Sequence, residues 1–193
     1  MPVIINGNGT VDTGTVLVGN SDITGLAAGA LPSTVIGAGG ILQVVSTTKT
    51  DTFSTATTGS WVDITGMSVS ITPTSSSSKV LVIVDLALAL SSVTDIVQQR
   101  LVRGSTAICV GDSRGSRNPV SGAVGVIYSN STNASHTRGF NFLDSPATTS
   151  STTYKIQVFS NVGTKYVNRC GEDLDSSTFY TSTSTITVME IAA

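Results

Sequence analysis

The chain predicts an all-β fold, a β-sandwich or jelly-roll-like head carrying an extended N-terminal arm. Three features lead there. The longest apolar run, Lys79–Leu90 (KVLVIVDLALAL), is interrupted only by Asp85. It is rich in β-branched residues and too short to cross a bilayer as a helix, which needs roughly 20 apolar residues. Shorter apolar segments recur through the rest of the chain, separated by Gly, Asn, Ser and Pro turn signals. Charged residues make up only 11% of the 193 positions, against about 25% in ordinary domains, and Ser, Thr and Gly stand in their place. Leu, Glu and Lys, the usual helix formers, are scarce, and no window shows a competing helical period.

Residues 1–40 differ from the remainder. They are Gly-rich, and Asp12 and Asp22 are their only charges. Two apolar triplets, Val3-Ile4-Ile5 and Val16-Leu17-Val18, stand between turn-forming pairs. Segments this small cannot fold alone. They imply an arm that orders against a partner or sister subunits, with an unstructured tail as the alternative. Ala38-Gly39-Gly40 reads as the hinge, so the chain divides into an arm, 1–40, and a head, 41–193.

In the head, Ile41–Thr48 is a strand and Asp51–Ser60 a polar turn region. Trp61–Ile64 is a short strand, and Thr65-Gly66 turns into Met67–Thr72, where Met67, Val69 and Ile71 alternate with small polar residues. Pro73 and the Ser-rich turn feed Lys79–Leu90, expected as the central strand, buried on both faces at its start and alternating towards its end. Ile96–Arg103 and Thr106–Val110 form a hairpin across Gly104-Ser105. A polar loop, Gly111–Gly122, carries Arg114 and Arg117. Ala123–Tyr128, Thr137–Asp144 (Phe140 and Phe142 on one face), Tyr154–Ser160, Thr164–Asn168 and Thr185–Ile191 are the remaining strands. About ten short strands in such an order imply two packed sheets.

Chemistry is sparse. His136 is the one histidine and sits in a polar stretch, and the G-x-S-x-G at Gly111–Gly115 falls in a polar loop with no helix expected after it, unlike the strained strand-to-helix elbow that exposes a nucleophile. Glu172, Asp173 and Asp175 share a single loop, which suits water or a cation better than two carboxylates facing across a glycosidic bond. Gly7-Asn8-Gly9 lacks the G-K-[ST] of a phosphate loop. The net charge of −2 and the absence of a basic block argue against nucleic acid. The start has no charged n-region and no long apolar stretch, so synthesis in a cytoplasm is expected. No enzyme activity, cofactor, metal or membrane insertion is expected. Arg114, Arg117, Tyr128 and His136 are candidates for a receptor-facing loop region, because Arg and Tyr are enriched at binding hot spots. Val3, Ile4, Ile5, Val16, Leu17 and Val18 are the candidates for docking the arm, by strand addition to a partner sheet.

Several segments resemble a family of structural proteins of tailed bacteriophages, especially phages of aquatic bacteria and cyanobacteria. They are Ile4–Thr10 and Ile23–Leu26 in the arm, then Trp61–Gly66, Ser68–Pro73, Leu101–Ser105, Leu143–Pro146, Thr153–Gln157 and Ser184–Ile191. The resemblance spans nearly the whole chain. It implies a virion protein of the tail-fibre kind, a homotrimer made in the host cytoplasm. Its arm would join other virion proteins of the baseplate, tail or capsid, and its head would meet a host-surface glycan or protein. The chain has no long shaft, so a trimeric capsid decoration protein is the alternative. A glycan-degrading tailspike enzyme is a third reading, disfavoured by the few carboxylates. Cys109 and Cys170 depart from the family pattern. Both stand near strand ends before a Gly-containing loop, which makes them candidates for a disulfide outside the reducing cytoplasm; the alternative is two unrelated thiols, Cys109 a small buried hydrophobe and Cys170 exposed or bonded to another chain.

Overall fold

The computed structural model describes residues 38–91, 95–124 and 135–193. Among them there is no helix. β1 (Ile41–Lys49), β2 (Phe53–Thr55) and β3 (Val62–Ile71) precede the long β4 (Lys79–Leu90). β5 (Val97–Arg103) and β6 (Thr106–Ile108) form the expected hairpin, with Gly104 supplying the left-handed turn residue at φ 59°. β7 (Gly122–Val124), β8 (His136–Asp144), β9 (Thr152–Phe159), β10 (Lys165–Val167) and β11 (Ser184–Ile191) complete the chain. The arm triplets Val3-Ile4-Ile5 and Val16-Leu17-Val18, and Tyr128, lie outside the described residues.

All pairings between these strands are antiparallel, and they make two sheets. In the six-stranded sheet β4 is central, as its length and apolarity demand. It pairs with β11 and β10 along one side and with β8 along the other. β1 lies beyond β11, and β2 beyond β10. The five-stranded sheet runs β3-β9-β5-β6, with β7 also on β5. The inward faces bury Ile64, Met67, Val69, Ile71, Leu101, Ile156 and Val158 from one sheet against Val80, Val82, Val84, Leu86, Ile186 and Val188 from the other. Each fully buried side chain of this size contributes about 1.5–3 kcal/mol of transfer free energy.

Three details differ from the sequence reading. β4 alternates at its start and is buried on both faces at its end, the reverse of the expectation. The outward positions near its end are Ala87 and Ala89, small residues that larger neighbours cover; Ala89 pairs with Tyr166. Trp61–Ile64 and Met67–Thr72 are not two strands across a turn. Val62–Ile71 is one strand whose register with β9 shifts between Asp63 and Ser68. Gly66 sits in that irregularity at φ 84°, and its missing Cβ leaves room for the Lys49 side chain. The polar region after Asp51 contains β2, which pairs with β10. Three-residue strands carry too little periodicity to be read alone.

A buried carboxylate closes the corner between β1 and the turn after β3. Glu190 is fully buried. It accepts from Gln43 Nε2 at 2.6 Å, and from the Thr74 amide and hydroxyl at 2.7 Å each. Burial by itself would raise its pKa. The donors Gln43, Thr74 and Ser78 outweigh burial and hold it below the ordinary glutamate value. A carboxylate depressed in this way stabilises the fold above its unfolded pKa, and the contribution is lost as pH falls through the lower folded value. Glu190→Gln is therefore expected to cost about 1–3 kcal/mol at neutral pH. Its stability should also fall less steeply than wild type below the unfolded glutamate value of 4.5. Urea midpoints measured across acid pH check this; two parallel pH profiles would refute it.

Candidate interaction surfaces

The two outer faces of the sandwich are built differently. On the five-stranded sheet the polar side chains satisfy one another. Trp61, just ahead of β3, lies under the Arg100 guanidinium, 4.2 Å from the ring centroid, and tilts against Phe159 at 5.4 Å. Arg100 Nε donates to Gln157 Oε1 at 2.8 Å. Gln157 Nε2 and Lys155 Nζ donate to the two oxygens of Asp63 at 2.6 and 2.7 Å. Burial opposes ionisation of Asp63, yet the Lys155 and Gln157 bonds hold its pKa below the usual aspartate value. Cross-strand register makes this possible, since Asp63 pairs with Gln157 and Gln157 with Arg100. The indole face that a ligand would stack on is occupied by Arg100.

The outer face of the six-stranded sheet is unpaired and low in charge. Period-two alternation turns Lys79, Leu81, Ile83 and Asp85 of β4 outward. Register then assembles rows across the sheet. Val44, Met189, Leu81 and Leu143 form one row, and Ser46, Thr187, Ile83 and Asn141 the next. Thr48, Thr185, Asp85 and Gly139 form a third. Val44 is 54% exposed, Leu143 47% and Ile83 39%. Contiguous exposed apolar side chains of this kind mark contact surfaces in soluble proteins. Lys79 and Asp85 are the only charged residues at the outward positions of these four strands, and neither forms an ion pair with a described residue.

The loop residues singled out from sequence fall in separate places. Arg114 and Arg117 are brought together by a bridge across Gly115, and both are exposed. His136 opens β8 in the six-stranded sheet, opposite Leu88, and is half-buried. Cys109 and Cys170, the candidates for a disulfide, are free thiols. Cys109 follows β6 in the five-stranded sheet with φ 54°, and burial pushes its thiol up against the opposing effect of a Ser121 hydrogen bond. Cys170 is buried after β10, its thiol 3.8 Å from the Tyr180 carbonyl oxygen. In the acidic loop Asp173 pairs with Arg169 at 3.0 Å. No three His, Cys, Asp or Glu side chains converge as a metal site among the described residues.

Two side-chain systems escaped the sequence reading because both are tertiary. Asp144 of β8 reaches across to the other sheet, where both its oxygens accept from Arg103 Nη1 at 2.8 Å and one accepts from the Tyr154 hydroxyl at 2.7 Å. Asn168 ties together the ends of several strands of the six-stranded sheet. The outward pair Lys79 and Asp85 was not singled out either, because the start of β4 was expected to be buried on both faces.

Fold and surface together define an all-β, two-sheet domain with curled antiparallel sheets of the sandwich or jelly-roll type. No family model matches the chain, and no curated protein matches it. Among solved structures it is similar to a structure of infectious bursal disease virus, Gt strain, with 16% identity over 78% of this chain and 38% of that chain and a TM-score of 0.38. It is also similar to a structure of the Gx strain, with 14% identity over 79% of this chain and 43% of that one and a TM-score of 0.36. The chain spans less than half the length of the viral chains it matches.

Proposed function

We propose that this chain is a non-enzymatic structural subunit of a phage virion, a short tail fibre whose head meets the host surface and whose arm, 1–40, joins it to other virion proteins. The observation that carries this reading is the outer face of the six-stranded sheet. It exposes Val44, Leu143 and Ile83 among Ser and Thr, a surface suited to contact with protein rather than to free solution. The segments resembling tailed-phage structural proteins support the same reading. So do the polar networks around Asp63, Asp144 and Glu190, whose donors and acceptors are spent within the fold. Self-association belongs to the proposal, with the homotrimer as the stoichiometry that the resemblance implies. Arg114 and Arg117, exposed in one tight turn, are the described candidates for host contact.

Antibody or gold labelling of intact particles tests the placement. Label on the tail supports the fibre. Label over the head shell replaces it with the decoration reading, and a particle carrying no label overturns both. Deleting residues 1–30 should leave a folded sandwich that is no longer incorporated; normal incorporation would refute the attachment role of the arm.

A further inference from the structure

We propose that a second copy of this chain docks face to face on the six-stranded sheet, about a two-fold axis running along the row Val45–Val188–Val82–Phe142. Those four residues are in mutual register, one on each of β1, β11, β4 and β8. They point inward, so the axis passes over a line of backbone between two rows of outward side chains. A two-fold contact is isologous: if one residue meets another, the second meets the first. An axis across Val82 that reverses strand direction brings each outward residue of β4 onto the one equally far on the other side of Val82.

The side chains suit that operation at every step. Lys79 meets the partner's Asp85, and Asp85 meets the partner's Lys79, so the two charges at the outward positions of these four strands neutralise each other twice. Leu81 meets the partner's Ile83. On the flanking strands the large member of each pair falls on a smaller or polar one: Val44 on Ser46, Met189 on Thr187 and Leu143 on Asn141. Large-on-small alternation is how two sheets interdigitate at about 10 Å separation. An unrelated partner would have no need of this internal symmetry. Like charges would face each other if the axis instead ran parallel to the strands, since Lys79 would then lie on Lys79. The face is four strands wide and seven residues long, roughly 15 by 20 Å from strand spacing. That is less than the roughly 800 Å² per partner of a standard stable interface, so the contact is concentration-dependent. It does not depend on where the chain sits on a particle.

The test is sedimentation or native mass measurement of the full chain over a range of micromolar concentrations. Wild type should form a dimer, or a hexamer where a three-fold contact elsewhere also operates. Lys79→Asp and Asp85→Lys each create two like-charge contacts and should each weaken association about tenfold, with the loss shrinking at high salt. The double variant K79D/D85K restores both pairs in reverse and should recover near-wild-type association. Both side chains are exposed, and unchanged thermal unfolding of the variants at low concentration shows that they fold. A wild type that stays monomeric overturns the proposal. So does a trimer whose mass ignores the single reversals, and so does a double variant as weak as the singles.

Discussion

Asn168→Ala should lower folding stability by about 3 kcal/mol or more, from two separable causes. Asn168 holds a left-handed backbone, φ 63°, and is fully buried. Asn is among the few non-Gly residues that adopt this conformation readily. Its amide donates to the Lys49 carbonyl at 2.8 Å and the Asp51 carbonyl at 3.0 Å, while its side-chain oxygen accepts from Ser184 Oγ at 2.6 Å. Its backbone N–H donates to Ala87 O at 3.1 Å, and its carbonyl accepts from Ser182 at 3.0 Å. One residue therefore joins the chain after β1, the end of β4, the exit of β10 and the start of β11. Ala removes the three side-chain bonds and disfavours the backbone. Gly removes the bonds and tolerates the backbone, so Asn168→Gly should be milder than Ala by about 1 kcal/mol. Asp keeps the acceptor for Ser184 but turns a carboxylate towards two carbonyls, and Asn168→Asp should be the most damaging of the three. Urea denaturation gives the order directly; a well-folded Asp variant, or Ala and Gly variants of equal stability, would remove this account.

That site shows where sequence reading stops. β4 was legible because length, apolarity and β-branching agree over twelve residues. The β5–β6 hairpin was legible because Gly104 sits between two alternating runs. The direction of burial along β4 was not, since it depends on what covers Ala87 and Ala89 from elsewhere in the chain. Asn168 reads in the sequence only as the last residue of the strand Thr164–Asn168. Its partners Lys49 and Ser184 are set by pairings of β10 and β11 with β4 that no local pattern specifies. The same holds for Asp144, which closed a strand in the sequence and proves to be a buried link between sheets. The outward face was half legible. Even spacing is enough to set Lys79 and Asp85 on one side of a strand, yet the start of β4 was expected to be buried on both faces, and the rows extending to Val44 and Leu143 need the registers of β1, β11 and β8. Arg114 and Arg117 were rightly placed in a loop, whereas His136 belongs to a strand.

Asp144→Ala is expected to cost about 2–4 kcal/mol, since it removes the buried member of a part-buried ion pair and the acceptor of a buried tyrosine hydroxyl. The carboxylate lies in the six-stranded sheet and is 5% exposed. Its partners, Arg103 and Tyr154, are cross-strand neighbours on β5 and β9 of the other sheet. The bonds therefore hold the sheets together at one end of the sandwich, beside the turn at Gly104. Truncation leaves a tyrosine hydroxyl buried without an acceptor and a guanidinium without its anion. The Tyr154 hydroxyl is pushed above the ordinary tyrosine range, by burial first and then by the Asp144 bond and charge. It should stay protonated in alkali until the protein unfolds. Tyr154→Phe removes only the donor and leaves the ion pair, so about 1 kcal/mol is expected. Arg103→Met strands the carboxylate and should approach the cost of Asp144→Ala. In the double variant D144A/R103M neither charge is left buried alone, and it should be more stable than the sum of the single losses implies. Additive losses in that cycle would mean that the three side chains act separately, and the link between the sheets would have to lie in packing alone.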